Sequence, residues 1–135
     1  MAGMRQRGVG CDADLVVRCV IVDDSAGFLS SARRLLERQG IAVAGVASSG
    51  AEAVLRIEEL QPDVVLLDID LGGESGLDLA ETLDRHGAAS PRIIMISTHA
   101  EQDYRDLIAA SPAVGFLAKE TLSGRAIRDL LDGGV

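Results

Sequence analysis

Short apolar runs alternate with amphipathic helical patterns along most of this chain, and this alternation limits its fold more than any other feature. The apolar runs predict five β-strands, at Val16–Val22, Ile41–Val46, Asp63–Asp68, Arg92–Ser97 and Ala113–Ala118. After each run, apolar residues recur at helical spacing, and the first of these helical stretches ends at Gly40. Regular alternation favours right-handed crossovers. We therefore predict an α/β doubly wound fold, with a parallel five-stranded sheet between two layers of helices.

The size and composition of the chain suit one domain with a buried core. It has 135 residues, of which 47% are hydrophobic. We predict that residues 16–132 form this domain, with residues 1–15 as a flexible leader and residues 133–135 as a tail. The two cysteines, Cys11 and Cys19, match neither a disulfide framework nor a metal-binding spacing. Both fit the reduced state that is usual in the cytoplasm.

The charge of the chain argues against two classes of partner. Its formal net charge is −8 at pH 7, which repels nucleic acid phosphates and anionic lipids. No apolar stretch approaches the length needed to span a membrane, and residues 1–15 lack the hydrophobic centre of a signal peptide. We therefore expect a cytoplasmic protein that binds neither nucleic acid nor membrane directly.

Polar residues collect at the predicted strand ends. In a doubly wound sheet the carboxyl ends of the strands form one ligand-binding edge. This edge would carry Asp23 and Asp24 from the first strand, Asp68 from the third, Ser97 from the fourth and Lys119 from the fifth. Two carboxylates about 4 Å apart repel by roughly 4 kcal/mol at an effective dielectric of 20, so three of them favour a bound cation. Oxygen ligands suit Mg²⁺.

The same set of residues contains the parts needed for phosphoryl transfer. A carboxylate beside Mg²⁺ can attack phosphorus, while the metal, a hydroxyl and an ammonium neutralise the transferring oxygens. A plainer interpretation is that each of these residues is a solvated group on the surface. We favour a site, because five such residues fall at the ends of four strands on one edge.

As an ensemble these residues resemble the receiver domain of bacterial two-component response regulators, over residues 16–132. Gly76, eight residues after Asp68, and Lys119, twenty-two after Ser97, fit that pattern. The resemblance implies a flavodoxin-like three-layer sandwich with strand order 2-1-3-4-5. It also implies that Asp68 accepts a phosphoryl group from a histidine kinase or phosphotransfer protein.

The resemblance also assigns roles around Asp68. It implies that Asp24, Asp68 and the backbone carbonyl of Asp70 bind Mg²⁺, and that Asp23 acts largely through water.

Further implied roles concern switching and output. Ser97 and Phe116 would form the switch, while Asp70 and His99 would tune the lifetime of the phosphoryl group. Output would pass to a downstream protein partner or a second copy of the chain, through the fourth helix, fifth strand and fifth helix.

Three positions depart from the family pattern. Gly72 stands where proline is usual, which predicts an unusually mobile loop. Thr98 follows Ser97 where a small residue is common. Glu120 replaces the proline that usually follows Lys119, and without proline a cis peptide would cost about 2.5–4 kcal/mol, which argues against one here.

Three alternatives stay open. The segment LLDIDLGG also resembles the opening motif of haloacid-dehalogenase-type phosphatases, although there the acidic metal ligands follow the lysine in sequence, whereas Asp23 and Asp24 precede Lys119. The chain could also be a degenerate binding module, or the receiver of a longer DNA-binding transcription regulator. We expect a stand-alone receiver that acts through protein partners.

Overall fold

The chain folds into a parallel sheet of five strands, described by a computed structural model that covers residues 16–85, 91–98 and 104–132. The strands are β1 (Arg18–Val22), β2 (Ala42–Ala47), β3 (Val64–Asp68), β4 (Arg92–Ser97) and β5 (Gly115–Ala118). The helices are α1 (Ala26–Arg38), α2 (Gly50–Leu60), α3 (Gly76–Asp84), α4 (Arg105–Ala109) and α5 (Gly124–Leu131). The strand order is β2-β1-β3-β4-β5, which confirms the predicted fold class and topology.

The strand boundaries differ most from prediction at β1 and β5. The first strand begins at Arg18 rather than Val16, and Val16 is exposed. The fifth begins at Gly115 rather than Ala113, because the N–H of Ala113 donates to the hydroxyl of Ser111 and so belongs to a turn. Within the part of the chain that the structure describes, no helix combines the length and apolar character needed to cross a membrane.

Strand β3 lies at the centre of the core, and all five of its residues are buried. Because successive side chains of a strand point to opposite faces, Val65 and Leu67 join the cluster beneath α2 and α3, whereas Val64 and Leu66 join the cluster beneath α1 and α5. This double-sided burial holds the strand rigidly. It therefore presents Asp68 at a defined place on the carboxyl edge of the sheet.

Cys19 of β1 also belongs to this core. The residue is fully buried, and burial raises the pKa of its thiol to about 12. A thiol of that kind packs as a small apolar side chain. This agrees with the interpretation that Cys19 takes no part in chemistry, while Cys11 lies outside the described residues.

A serine begins each of the four longer helices. In each case the hydroxyl accepts an N–H from the first helical turn, an N-cap worth about 1 kcal/mol. The four capping residues are Ser25, Ser49, Ser75 and Ser123. Since these caps lie in loops that leave the carboxyl ends of strands, they order the loops around the same sheet edge.

Candidate functional site

Three carboxylates meet at the carboxyl edge of the sheet. One oxygen from each of Asp23, Asp24 and Asp68 can be chosen so that all three lie within 4.8 Å of one another. Asp23 and Asp68 are buried, whereas Asp24 is exposed. The pairing of β1 with β3, which places Val22 beside Leu67, brings the ends of these two strands together.

Lys119 bridges two of these carboxylates. Its Nζ lies 2.5 Å from Asp23 Oδ2 and 3.2 Å from Asp68 Oδ2. The residue opens a 3₁₀ turn, Lys119–Thr121, directly after β5. Although burial alone would lower the pKa of Lys119, the contacts with Asp23 and Asp68 outweigh it and raise that pKa above its ordinary value. The side chain is therefore cationic, and one ammonium faces three carboxylates.

Both oxygens of Asp68 accept hydrogen bonds. The N–H of Asp70 donates to Oδ1 at 3.1 Å, and Lys119 Nζ donates to Oδ2 at 3.2 Å. Burial raises the pKa of Asp68 and the charge of Asp23 raises it further, against the lowering effect of these two donors. The net effect is a raised pKa of Asp68, so the folded protein holds the ionised carboxylate at a cost in free energy.

The two oxygens of Asp23 have different partners. Its Oδ1 accepts the N–H of Ser25 at 2.8 Å. Its Oδ2 is buried and forms a close ion pair with the Lys119 ammonium. The three clustered carboxylates face one ammonium among the described residues, and this excess of negative charge fits a hard divalent cation with oxygen ligands.

Asp70 has a different place from the three clustered carboxylates. Its side chain is exposed, and its Oδ1 accepts the N–H of Gly72 at 3.1 Å. Its backbone bridges to Ser75 on the other side of the loop. The side chain of Asp70 thus organises the loop between β3 and α3.

Ser97 and Phe116 lie on neighbouring strands. Ser97 is buried at the end of β4 and pairs with Ala118, while Phe116 pairs with Met95 and packs, half-buried, against the core beneath α2 and α3. The roles of Ser97 and Phe116 as a switch stay predictions. His99, the other residue predicted to tune the phosphoryl lifetime, lies outside the described residues, as do the predicted leader and tail.

Sequence reasoning placed Phe28 only in the apolar face of the first helix. In the structure Lys119 Nζ lies 4.6 Å from the centroid of the Phe28 ring, a cation–π distance. The available signal was an aromatic residue in the first turn of α1, four residues after the acidic pair, in a chain with only two phenylalanines.

Two glycines around the loop between β3 and α3 bear on the family pattern. Gly72 departs from it, and Gly76 fits it. Gly72 and Gly73 have φ values of 64° and 108°, and proline cannot adopt either of them. Gly76 begins α3, and its N–H donates to Ile69 O at 2.7 Å. The predicted mobility of this loop stays a prediction.

No peptide bond among the described residues is cis, so the Lys119–Glu120 bond is trans.

Comparison with known proteins gives a consistent result. Residues 19–131 match the family described as the response regulator receiver domain. The DNA-binding transcriptional activator EvgA of Escherichia coli K12 is 33% identical over 104 residues, which make up 77% of this chain and 50% of EvgA. A protein-glutamate methylesterase/protein-glutamine glutaminase of Myxococcus xanthus is 37% identical over 87 residues, 64% of this chain and 25% of that protein.

The chain therefore spans about half the length of the activator and about a quarter of the methylesterase. Among solved structures, the signal receiver domain of NarL from Mycobacterium tuberculosis superimposes with a TM-score of 0.77 at 30% identity, covering 87% of this chain and 98% of that one. The family match, the relatives and the topology agree, and the chain belongs to the response regulator receiver domains of two-component signalling.

Proposed function

We propose that this chain is a phosphorylation-dependent switch, in which Asp68 receives a phosphoryl group from a histidine kinase or phosphotransfer protein in the presence of Mg²⁺. The observation that carries the proposal is the contact of one ammonium, that of Lys119, with the carboxylates of both Asp23 and Asp68. This arrangement leaves an excess of negative charge among buried oxygens. A divalent cation would balance that charge, and a transferring phosphoryl group would need the same balance.

The metal would be held by Asp24, Asp68 and the backbone carbonyl of Asp70, and Asp23 would act on it largely through water. The fit rests on the close approach of the three carboxylates and on their excess of negative charge over the ammonium of Lys119. When bound, Mg²⁺ would supply positive charge to the oxygens of the transferring group.

The transfer step requires a nucleophile and a cation that can change partners. An oxygen of Asp68 attacks phosphorus, the bond from phosphorus to the imidazole nitrogen of the donor breaks, and an acyl phosphate forms. Lys119 already contacts two carboxylates, so it can leave Asp68 and donate to a phosphoryl oxygen while it keeps its contact with Asp23. The hydroxyl of Ser97 would donate to another phosphoryl oxygen, and Asp70 and His99 would set the lifetime of the product.

Output would pass through the surface of α4, β5 and α5, to a protein partner or a second copy of the chain. Leu107 of α4 and Val114 next to β5 are exposed apolar residues on this surface. Phosphorylation would draw Ser97 toward the new group, and Phe116 would then turn inward. Amide exchange with and without a stable phosphoryl mimic tests this route, and protection changes confined to α2 and α3 would contradict it.

A second candidate is that this receiver controls an attached DNA-binding domain. The match with EvgA, of which the chain covers half, favours it. The net charge of −8 argues that any DNA contact would come from other parts of such a protein. In either case we propose a cytoplasmic domain that makes no direct contact with nucleic acid or membrane and catalyses only its own phosphorylation and dephosphorylation.

Intact mass measurement after incubation with acetyl phosphate and Mg²⁺ tests the central proposal. The expected result is a gain of one phosphoryl group, which chelation of Mg²⁺ and the Asp68→Asn substitution both abolish. Asp78→Asn is a matched control, because Asp78 is an exposed aspartate in α3. Equal labelling of Asp68→Asn would contradict the assignment, and turnover of a phosphomonoester would favour the phosphatase alternative.

A further inference from the structure

The carboxylate of Asp24 occupies the space that a side chain at position 72 would take. A Cβ built on Gly72 would lie 2.5 Å from Asp24 Oδ2 and 3.4 Å from its Cγ. Because carbon and oxygen atoms that are not bonded need well over 3 Å, any side chain there would displace the carboxylate. The absence of a side chain at position 72 is therefore what allows Asp24 its observed position.

The space beside Gly72 matters because few contacts of the described residues fix the position of the Asp24 carboxylate. The residue is exposed, and none of the described residues donates a hydrogen bond to its carboxylate. Asp23 and Asp68, in contrast, are buried and accept hydrogen bonds from the backbone. Of the three clustered carboxylates, Asp24 is thus the one whose position depends on the loop beside it.

The side chain of Asp70 holds this loop in place. Its Oδ1 accepts the N–H of Gly72 at 3.1 Å, while its own N–H donates to Asp68 Oδ1. The N–H of Leu71 donates to Glu74 O, which closes the turn around the two glycines. The backbone of Gly72 is therefore linked to Asp68 through Asp70, and it leaves open the space that the carboxylate of Asp24 occupies.

We infer that Gly72, held by the side chain of Asp70, is a positioning residue for Asp24 and sets the affinity of the acidic cluster for a divalent cation. The inference rests on the proposed function, since it presumes that the cluster binds Mg²⁺. Mg²⁺ demands nearly ideal octahedral geometry, so displacement of one ligand is costly. Substitutions next to metal ligands typically weaken binding by about 10–100-fold.

Gly73 provides a matched control on the same loop. Its φ of 108° is less favourable for a side chain than the 64° of Gly72, yet no heavy atom of the described residues lies within 4 Å of a Cβ built on it. Gly73→Ala therefore strains the backbone without touching Asp24. Comparison of the two alanine variants separates backbone strain from displacement of the carboxylate.

The test is calorimetric titration of the folded protein with Mg²⁺. Gly72→Ala is expected to weaken Mg²⁺ binding by about tenfold, whereas Gly73→Ala, whose Cβ would not meet Asp24, leaves it close to the wild-type value. In an Asp24→Ala background, Gly72→Ala should have no further effect. Circular dichroism and thermal melting establish that each variant is folded before titration.

Substitutions of Asp70 test the same inference without altering the glycines. Asp70→Asn keeps the Oδ1 that accepts the N–H of Gly72, whereas Asp70→Ala removes it. Asp70→Asn is therefore expected to bind Mg²⁺ more tightly than Asp70→Ala. Equal weakening by both variants would assign the effect to the charge of Asp70 and overturn its positioning role.

Two results distinguish failure of this inference from failure of the proposed function. If wild type binds Mg²⁺ but Gly72→Ala binds it equally well, or Gly73→Ala weakens binding as much, the inference is overturned and the proposed function stands. An effect of Gly72→Ala that persists without Asp24 also overturns it. Absence of Mg²⁺ binding by the wild-type protein overturns the proposed metal site and the inference together.

Discussion

The ammonium of Lys119 lies over the ring of Phe28, 4.6 Å from its centroid. This contact joins the first turn of α1 to the turn that follows β5, two places that are far apart in the sequence. Since Lys119 also contacts Asp23 and Asp68, the aromatic ring adds an apolar partner to a cation at the centre of the site. Cation–π contacts contribute about 0.5–2 kcal/mol, depending on their exposure.

We expect Phe28→Leu to slow phosphorylation without weakening Mg²⁺ binding. Leucine keeps the apolar packing of Phe28 against the core beneath α1, but it removes the ring face that attracts Lys119. A loss of about 1 kcal/mol corresponds to roughly a fivefold lower rate of labelling by acetyl phosphate. The rate is measured by intact mass at saturating Mg²⁺.

Phe28→Tyr is the control, because it retains an aromatic face and should label at nearly the wild-type rate. Proton NMR adds a readout that a loss of packing alone would not change. The ε protons of Lys119 should lose their ring-current shift in Phe28→Leu and keep it in Phe28→Tyr. Unchanged lysine shifts in Phe28→Leu would contradict the contact.

Gly76 lies close to the backbone of Asp68 and Ile69, and Gly76→Ala should disrupt this packing. A Cβ on Gly76 would collide with the carbonyl oxygen of Asp68, and it would lie 2.9 Å from that carbonyl carbon and 3.0 Å from Ile69 Cα. All three atoms belong to the backbone, so no side chain can turn aside. Overpacking of this kind costs about 1–3 kcal/mol, which chemical denaturation would measure.

Gly27→Ala gives the opposite expectation and serves as the control for Gly76→Ala. Gly27 lies in α1, and a Cβ there would meet no closer atom of the described residues outside its chain neighbours and the helix backbone than Ser25 Oγ, at 3.9 Å. Alanine favours a helix over glycine by up to about 1 kcal/mol. Gly27→Ala should therefore stabilise the fold, and equal destabilisation by both substitutions would refute the steric argument for Gly76.

The elements that sequence reasoning located well are those with a local signal. The run that ends in Asp68 is apolar over four residues, a pattern typical of a strand buried on both faces, and β3 is such a strand. The parallel topology then brings strand ends together, so the closeness of Asp23, Asp68 and Lys119 follows from the strand assignments alone.

The features that sequence reasoning missed depend on contacts between distant segments. Phe28 has the spacing of an ordinary core residue, and its neighbour Lys119 is known only once α1 and β5 are packed on the sheet. Likewise, the space that Asp24 takes beside Gly72 depends on the path of a loop whose two positive φ values have no unique sequence signal. The start of β5 was placed too early because Ala113 is apolar but lies in a turn.

Asp68→Asn should stabilise the metal-free protein at neutral pH. Burial raises the pKa of Asp68, and so does the charge of Asp23, so the fold favours the protonated carboxyl. A carboxyl with a raised pKa contributes stability below its unfolded pKa, and that contribution is lost as pH rises through the folded pKa. The ionised group is therefore destabilising at pH 7, and asparagine removes this cost while Lys119 keeps Asp23 as a partner.

Thermal melts in the presence of a chelator measure this effect. The expected gain in Tm is a few degrees at pH 7, and it should shrink as the pH falls toward 3.8, the ordinary value for this carboxyl. Asp78→Asn, which alters an exposed aspartate, should leave Tm almost unchanged at every pH. A lower Tm for Asp68→Asn at neutral pH would show that the ionised carboxylate stabilises the fold, contrary to this prediction.

The two aspartates that end β1 should separate metal binding from fold stability. Asp24 is exposed and lies beside the loop, so Asp24→Ala is expected to weaken Mg²⁺ binding while Tm changes little. Asp23 is fully buried, accepts the N–H of Ser25 and contacts Lys119, so Asp23→Ala leaves a half-buried ammonium with one partner fewer. Removal of one partner from a buried ion pair costs about 3–5 kcal/mol, and we expect Asp23→Ala to unfold at lower denaturant concentration than wild type.

Calorimetric titration and urea denaturation of both variants measure Mg²⁺ affinity and fold stability independently. A larger loss of Mg²⁺ affinity in Asp23→Ala than in Asp24→Ala, with the fold intact, would reverse the proposed roles and make Asp23 the principal metal ligand of β1.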